Sequence, residues 1–155
     1  METIDDFAEQ LISLGLATPD TIVPCSPDEV AEVLEAQHLD QLPEQYERFL
    51  LTMGRQAGEL LRGTTVFYPA IVELVDEMCE LVQDNNVTHL VKAGSVLAGM
   101  HQGYQLYWIE PGQPSGPVRM YVEGEKSVHE SWPTWLDFLV TELERHQSIA
   151  RKLGR

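Results

Sequence analysis

The feature that most constrains the fold of this chain is a run of aromatic and β-branched residues, broken by turn residues, over residues 100–123. Residues 104–109 (YQLYWI) predict one strand, the Pro- and Gly-containing cluster after them predicts a turn, and residues 118–122 predict another strand. Gly103 lies where a hairpin reversal requires a positive φ. Apolar and polar residues alternate in the last strand, which predicts a solvated face that includes Tyr121. The segment therefore places a sheet in the middle of an otherwise helical chain.

Helical periodicity surrounds this segment on both sides. Ser26 and Glu29 have the spacing of a capping box, which marks one helix start. The sequence predicts helices over residues 3–14, from Pro27 onward, from Pro43 onward, from Pro69 to Asp84, and from Ser131 onward with Trp132 in the helix. It predicts strands at residues 64–68, 96–100, 104–109, 118–122 and 126–129. Strands in the middle and helices at both ends predict an α+β fold, with an antiparallel or mixed central sheet of about four to six strands. The N-terminal helices and a C-terminal helix should flank this sheet. We expect one domain over residues 1–147 and a frayed basic tail over residues 148–155.

Charge is the second strong feature of the sequence. Ten Lys and Arg residues stand against twenty-five Asp and Glu residues, a formal net charge of −15. Residues 1–50 contain twelve of the acids and a single base, Arg48. Such a field opposes binding to nucleic acid or to an anionic membrane and favours a basic partner, although a merely solubilising surface has the same composition. The sequence has no long apolar run, and its first residues lack the basic region with which a signal peptide begins. It therefore predicts a soluble cytoplasmic protein.

The sequence contains no pattern of residues that is typical of catalysis or metal binding. Its five histidines form neither HExxH nor HxH, no serine lies in a GxSxG turn, and the glycines match no phosphate-binding loop. Cys25 and Cys79 have no metal-ligand spacing, and Cys79 is expected to be a buried free thiol within its helix. A disulfide between Cys25 and Cys79 is the alternative, which a reducing compartment disfavours. His101, in the hairpin, is the one alternative as a general base, but no oriented carboxylate or nucleophile is evident beside it. We therefore predict a protein that is not an enzyme, with no catalytic residue, no cofactor and no metal.

Three groups of residues, spread over residues 27–143, also carry a family resemblance. The first is the LPxxY motif of Leu42, Pro43 and Tyr46 in LPEQYERFL, the second is GMHQGYQLYWIE with the later strand PVRMYVEG, and the third is the closing helix SWPTWLDFLVTEL. In this order they resemble the SUKH superfamily, which includes immunity proteins of bacterial toxin systems, the Syd protein and fungal cell-wall regulators. The resemblance implies a protein-binding module rather than an enzyme.

Two functions are compatible with this resemblance. Immunity-type members imply a protein that neutralises a basic toxin, such as a nuclease, by covering its active surface, and the negative charge favours the same conclusion independently. Fungal members imply instead a regulatory or scaffolding protein without a toxin partner. A toxin gene beside the gene for this chain would favour the first.

Candidate partner-binding residues follow from charge and from the aromatic content of the predicted sheet. Carboxylates would steer association, and aromatic side chains would supply most of the affinity. The candidate carboxylates, on or beside the second and third helices, are Glu29, Glu32, Glu35, Asp40, Glu44 and Glu47. The candidate aromatic anchors are Tyr104, Tyr107 and Tyr121.

Overall fold

In a computed structural model, which describes residues 1–154, short helices surround a central antiparallel sheet, and the predicted α+β class is confirmed. The helices are α1 (Ile4–Ser13), α2 (Pro27–Ala36), α3 (Glu44–Met53), α4 (Ala70–Glu73), α5 (Val75–Asp84) and α6 (Trp135–Lys152). The strands are β1 (Ile22–Val23), β2 (Gln56–Ala57), β3 (Thr64–Thr65), β4 (Val96–His101), β5 (Gln105–Ile109), β6 (Val118–Val122) and β7 (Glu130–Trp132). Single turns of 3₁₀-helix lie at Pro19–Thr21 and Thr88–Leu90.

The central sheet has the strand order β3-β4-β5-β6-β7, so each strand pairs with its neighbour along the chain. β4 and β5 form the predicted hairpin, and Gln102 and Gly103 in its turn have φ values of 52° and 78°. Two consecutive positive φ values are typical of a type I′ turn, whose twist matches that of the flanking strands. β1 and β2 form a separate two-stranded ribbon.

Both faces of the central sheet are covered, so the face that was predicted to be solvated is buried. Tyr121 and Trp108 point to this face and are fully buried. α5 lies along it beside Leu97 of β4, while α6 covers the opposite face, where Tyr107 packs on Phe138 with ring centroids 5.2 Å apart. Alternation within a strand assigns residues to two sides, but only packing against other elements decides whether a side is in water.

Two strands differ from their predicted positions. The last strand is Glu130–Trp132 rather than residues 126–129, because Trp132 pairs with Val118 of β6. The strand predicted over residues 64–68 is reduced to Thr64–Thr65, which pairs with the end of β4.

Two helices also differ from prediction. α6 begins at Trp135 rather than at Ser131, because Thr134 is its N-cap and the Thr134 hydroxyl accepts a hydrogen bond from the Asp137 N–H at 3.1 Å. The helix predicted from Pro69 is divided at Leu74 into α4 and α5. The capping box at α2 is present as predicted, since Ser26 and Glu29 exchange hydrogen bonds between side chain and backbone.

α6 holds the aromatic core together, because it lies between the sheet and α3. The indole of Trp135 is fully buried and meets the rings of Tyr46 and Phe49 edge-on, with centroids 5.3 Å away in each case. It also stacks on Phe138 at 4.9 Å. Offset and edge-on contacts of this kind add to the stabilisation from buried apolar area.

The α6 helix continues to Lys152, so most of the tail that was predicted to fray is helical. Arg155, the last residue of that predicted tail, lies outside the described residues. Within residues 1–154, no helix combines the length and the apolar character needed to cross a membrane.

Gln37 takes the place of a strand at the outer edge of β4, where β3 does not reach. Its side-chain amide accepts a hydrogen bond from the Leu97 N–H at 2.7 Å and donates one to the Leu97 carbonyl at 2.9 Å. We expect Gln37→Ala to lower the free energy of unfolding by about 1–3 kcal/mol, because two half-buried backbone groups lose their partner. Urea titration followed by circular dichroism measures this. Gln83→Ala on nearby α5 is the matched control and should change stability by less than about 0.5 kcal/mol. An equal effect of the two substitutions would contradict this role of Gln37.

Candidate partner-binding surfaces

Four of the six carboxylates predicted to bind a partner are exposed and unpaired. Glu35, Asp40, Glu44 and Glu47 accept no hydrogen bond through their carboxylates and form no salt bridge within residues 1–154. A carboxylate without an internal partner keeps its full charge available to an incoming cation. The geometry is therefore compatible with their predicted role, which remains a prediction.

Glu29 is already engaged within the fold. Besides closing the α2 capping box, its carboxylate forms a salt bridge with the Arg55 guanidinium, which also donates from Nε at 3.1 Å. The hydrogen bond from Arg55, with that from the Ser26 backbone, holds the pKa of Glu29 below its usual range. Glu29 thus acts in local structure and presents less free charge than its neighbours.

Glu32 is exposed but accepts a hydrogen bond from the Tyr68 hydroxyl at 2.5 Å. This hydrogen bond, together with desolvation, raises the pKa of Tyr68 to about 12. The Arg55 guanidinium lies over the Tyr68 ring, 4.9 Å from its centroid. Glu29, Glu32, Arg55 and Tyr68 therefore form one polar cluster at the side of α2.

Further acidic residues, not among the predicted binding residues, lie beside α2. α2 packs against α4, which leads directly into α5. Together these three helices carry nine carboxylates and no Lys, Arg or His. The five on α4 and α5 are Glu73, Asp76, Glu77, Glu80 and Asp84, and all are exposed. The sequence already shows that α4 and α5 contain no base. It does not show that these two helices continue the acidic surface of α2.

The α3 carboxylates lie apart from this group. Glu44 and Glu47 line a separate hollow of about 480 Å³ with Arg48 and Gln113. Arg48 is paired with Asp5 at 3.0 Å, so a base stands beside these two acids. The predicted six carboxylates therefore do not form a single patch.

An apolar groove opens at the acidic side, between the end of α2, α5 and the start of β4. We call this the α2–α5 groove; its volume is about 340 Å³, and its apolar lining includes Val75, Val82 and Leu97. Asp76 and Cys79 of α5 also line it. Burial raises the pKa of the Cys79 thiol, and the Asp76 carboxylate adds to the shift.

Two of the three predicted aromatic anchors are core residues, which corrects that prediction. Tyr107 and Tyr121 are 6 % and 0 % exposed, and the Tyr121 hydroxyl donates to the Glu125 carbonyl at 2.6 Å. Tyr107 lies under α6, where it packs on Phe138, and Tyr121 points to the opposite face and belongs to the same buried core. Only Tyr104, beside the hairpin turn and 38 % exposed, is available to a partner.

A larger cleft, of about 820 Å³, lies between α6, the end of α1 and the segment before β3. His101 lines it, and the Nδ1 atom of His101 is 2.8 Å from the Thr64 hydroxyl oxygen, across the β3–β4 pair. Glu142 and Arg145 share the cleft, and burial raises the pKa of Glu142. Within residues 1–154 neither of them hydrogen-bonds to His101, so no carboxylate orients the imidazole.

The larger cleft and the α2–α5 groove differ in the charge of the residues that line them. Arg62, Arg145 and Arg151 line the larger cleft, whereas no Lys or Arg among the described residues lines the α2–α5 groove. Over the described residues, no group of three or more His, Cys, Asp or Glu side chains is arranged to hold a metal ion. The α2–α5 side of the molecule would therefore attract cations more strongly than the larger cleft would.

Comparisons of the chain with models of known protein families, with curated proteins and with solved structures find no match. The surfaces described above are therefore the basis for assigning a function.

Proposed function

We propose that this chain is a non-catalytic, protein-binding module of the SUKH type, an immunity protein that neutralises a basic toxin such as a nuclease. The observation that supports the proposal is the acidic surface. Within residues 1–154, Glu35, Asp40, Glu44 and Glu47 are exposed and have no internal partner. The helices α2, α4 and α5 together carry nine carboxylates and no base.

The physical basis is competition for a phosphate-binding surface. A nuclease must be positively charged where it holds the nucleic-acid backbone. An acidic protein can occupy that surface as a competing polyanion, and its field accelerates the encounter. Because exposed charges are screened over roughly 8 Å at physiological ionic strength, the association rate should fall as salt is added.

The test needs a binding partner. This is either a toxin encoded beside the gene for this chain, or a basic protein that this chain captures from a lysate of its source organism. The substitutions Glu35→Gln, Asp40→Asn, Glu44→Gln and Glu47→Gln are combined in one variant. We expect the association rate at low salt to fall by about tenfold or more, and its salt dependence to flatten. Stopped-flow mixing at low and high salt measures both, and cleavage of plasmid DNA reports neutralisation if the toxin is a nuclease.

A second variant with the same net charge is the control. It neutralises four exposed acids that lie elsewhere in the chain, namely Glu9, Asp20, Glu123 and Glu144. This control should retain most of the association rate. Equal slowing of the two variants would mean that net charge alone acts, and an unchanged rate in the first would reject its four carboxylates as the docking surface. Many weak acidic or neutral partners, without neutralisation, would favour the regulatory or scaffolding alternative.

A further inference from the structure

We infer that the α2–α5 groove is the point at which the partner is anchored: it holds an apolar side chain of a basic partner segment, whose flanking Lys or Arg residues pair with the carboxylates around the groove. This inference rests on the proposed function and says which surface supplies most of the binding affinity. Tyr107 and Tyr121, which were predicted to supply it, are buried.

The groove has the size and lining of an anchor pocket. Its volume of about 340 Å³ lies at the low end of the roughly 300–1,000 Å³ that is typical of ligand pockets. Val75, Val82 and Leu97 supply apolar walls, and Cys79 adds a small apolar surface. Interfaces commonly take most of their affinity from one or two side chains buried in such a pocket near their centre.

The charge around the groove selects the occupant. Asp76 lines it directly, and Glu35, Glu77, Glu80 and Asp84 are exposed on the two helices that form its walls. The two helices themselves contain no base. An acidic or neutral apolar segment would meet uncompensated carboxylates there, whereas a basic one would neutralise them.

The groove favours side-chain insertion over the addition of a strand. β4 borders the groove with an outer edge that β3 leaves open, but the Gln37 amide already pairs with both the N–H and the carbonyl of Leu97. A partner strand would have to displace these two hydrogen bonds before forming its own. Ser95 also lines the groove, and its buried hydroxyl oxygen has no partner within residues 1–154.

The test uses two synthetic peptides on the full chain. The first has Leu at positions i, i+3, i+4 and i+7 and Lys elsewhere, and in the second Ser replaces every Leu. We expect the Leu-containing peptide to bind about tenfold or more tightly, because it alone carries anchors for the groove. Isothermal titration calorimetry measures both affinities.

Substitution at the groove separates this inference from simple charge attraction. Cys79→Trp fills the groove without changing any charge, and it should abolish the advantage of the Leu-containing peptide. Cys79→Ser leaves the space open and should keep that advantage. Thermal unfolding of both variants checks that they are folded.

A readout on the unmodified chain keeps the test independent of those variants. Cys79 is partly buried whereas Cys25 is buried in the core, so a maleimide should label Cys79 first. Saturating Leu-containing peptide should slow this labelling by about tenfold or more, and the Ser-containing peptide should slow it far less.

The outcomes distinguish the groove from the proposed function. If both peptides bind equally and Cys79 labelling is unprotected, the groove is not the anchor, while the acidic module stands. Equal affinity of the Cys79→Trp and Cys79→Ser variants for the Leu-containing peptide also rejects the groove. If neither peptide binds, and the toxin or captured basic protein is not bound either, the groove and the proposed function both fail.

Discussion

Trp135→Ala should lower the free energy of unfolding by about 3–5 kcal/mol, because it removes the centre of the aromatic core. The Trp135 ring contacts Tyr46, Phe49 and Phe138, with centroids within 5.3 Å, and it is fully buried. These partners come from α3 and α6, so the cavity would lie at the junction of the two helices. A loss of this size is a large share of the roughly 5–15 kcal/mol that stabilises a typical domain. Urea titration followed by far-ultraviolet circular dichroism measures it.

Trp135→Phe is the matched control. It keeps an aromatic ring in the cluster, and it removes an indole N–H that has no hydrogen-bond partner in the described part of the chain. Since a buried donor without a partner is itself costly, its removal offsets part of the lost volume. We expect Trp135→Phe to retain most of the stability. A similar loss in both variants would show that the aromatic contacts are not what holds α6 in place.

Gly58→Ala should cost about 3 kcal/mol or more, because two penalties act at the same atom. Gly58 has a φ of 59°, in the left-handed region that residues with a Cβ adopt only at a cost. A Cβ at this position would also collide with the Leu16 carbonyl oxygen and lie 2.6 Å from the Ala17 Cβ. The backbone cannot easily retreat, because the Gly58 N–H donates to the Thr21 carbonyl at 2.9 Å. Thermal and urea unfolding measure the loss.

Gly63→Ala separates the two penalties. Gly63 also has a positive φ, 86°, but nothing lies within 4 Å of the position that its Cβ would take. Because no described residue crowds that position, Gly63→Ala should show only the conformational cost, about 1–2 kcal/mol. If Gly58→Ala and Gly63→Ala lost the same stability, the close approach of Leu16 and Ala17 to Gly58 would have no energetic consequence.

Much of the secondary structure was predictable from residues close together in the chain. Ser26 and Glu29 exchange hydrogen bonds across one helical turn, and Gln102 and Gly103 reverse the hairpin within two residues. The predictions were wrong where contacts with a distant segment determine the local structure. Ser131 was an acceptable helix start by composition, but pairing of Trp132 with Val118 keeps the chain extended until Thr134.

The candidate surface was predictable only in part. Net charge and the excess of acids in the first fifty residues follow from composition, and Glu35 and Asp40 are exposed, as a partner-binding role requires. No local pattern could show that Glu29 is paired with Arg55, since Arg55 lies 26 positions further along the chain, between α3 and β2. The same holds for the α2–α5 groove, whose walls come from residues separated by tens of positions.

The sequence by itself determined the α+β class, the start of α2, the starts of α1 and α3 to within one residue, the β4–β5 hairpin and the acidic character of the chain. Helical and strand periodicity, capping and turn chemistry act over a few residues, so they can be recognised without knowledge of the fold. Only the tertiary structure decided that Tyr107 and Tyr121 are core residues and that α2 and α5 enclose a groove. Burial depends on which elements pack on each face of the sheet, and that depends on contacts between distant segments.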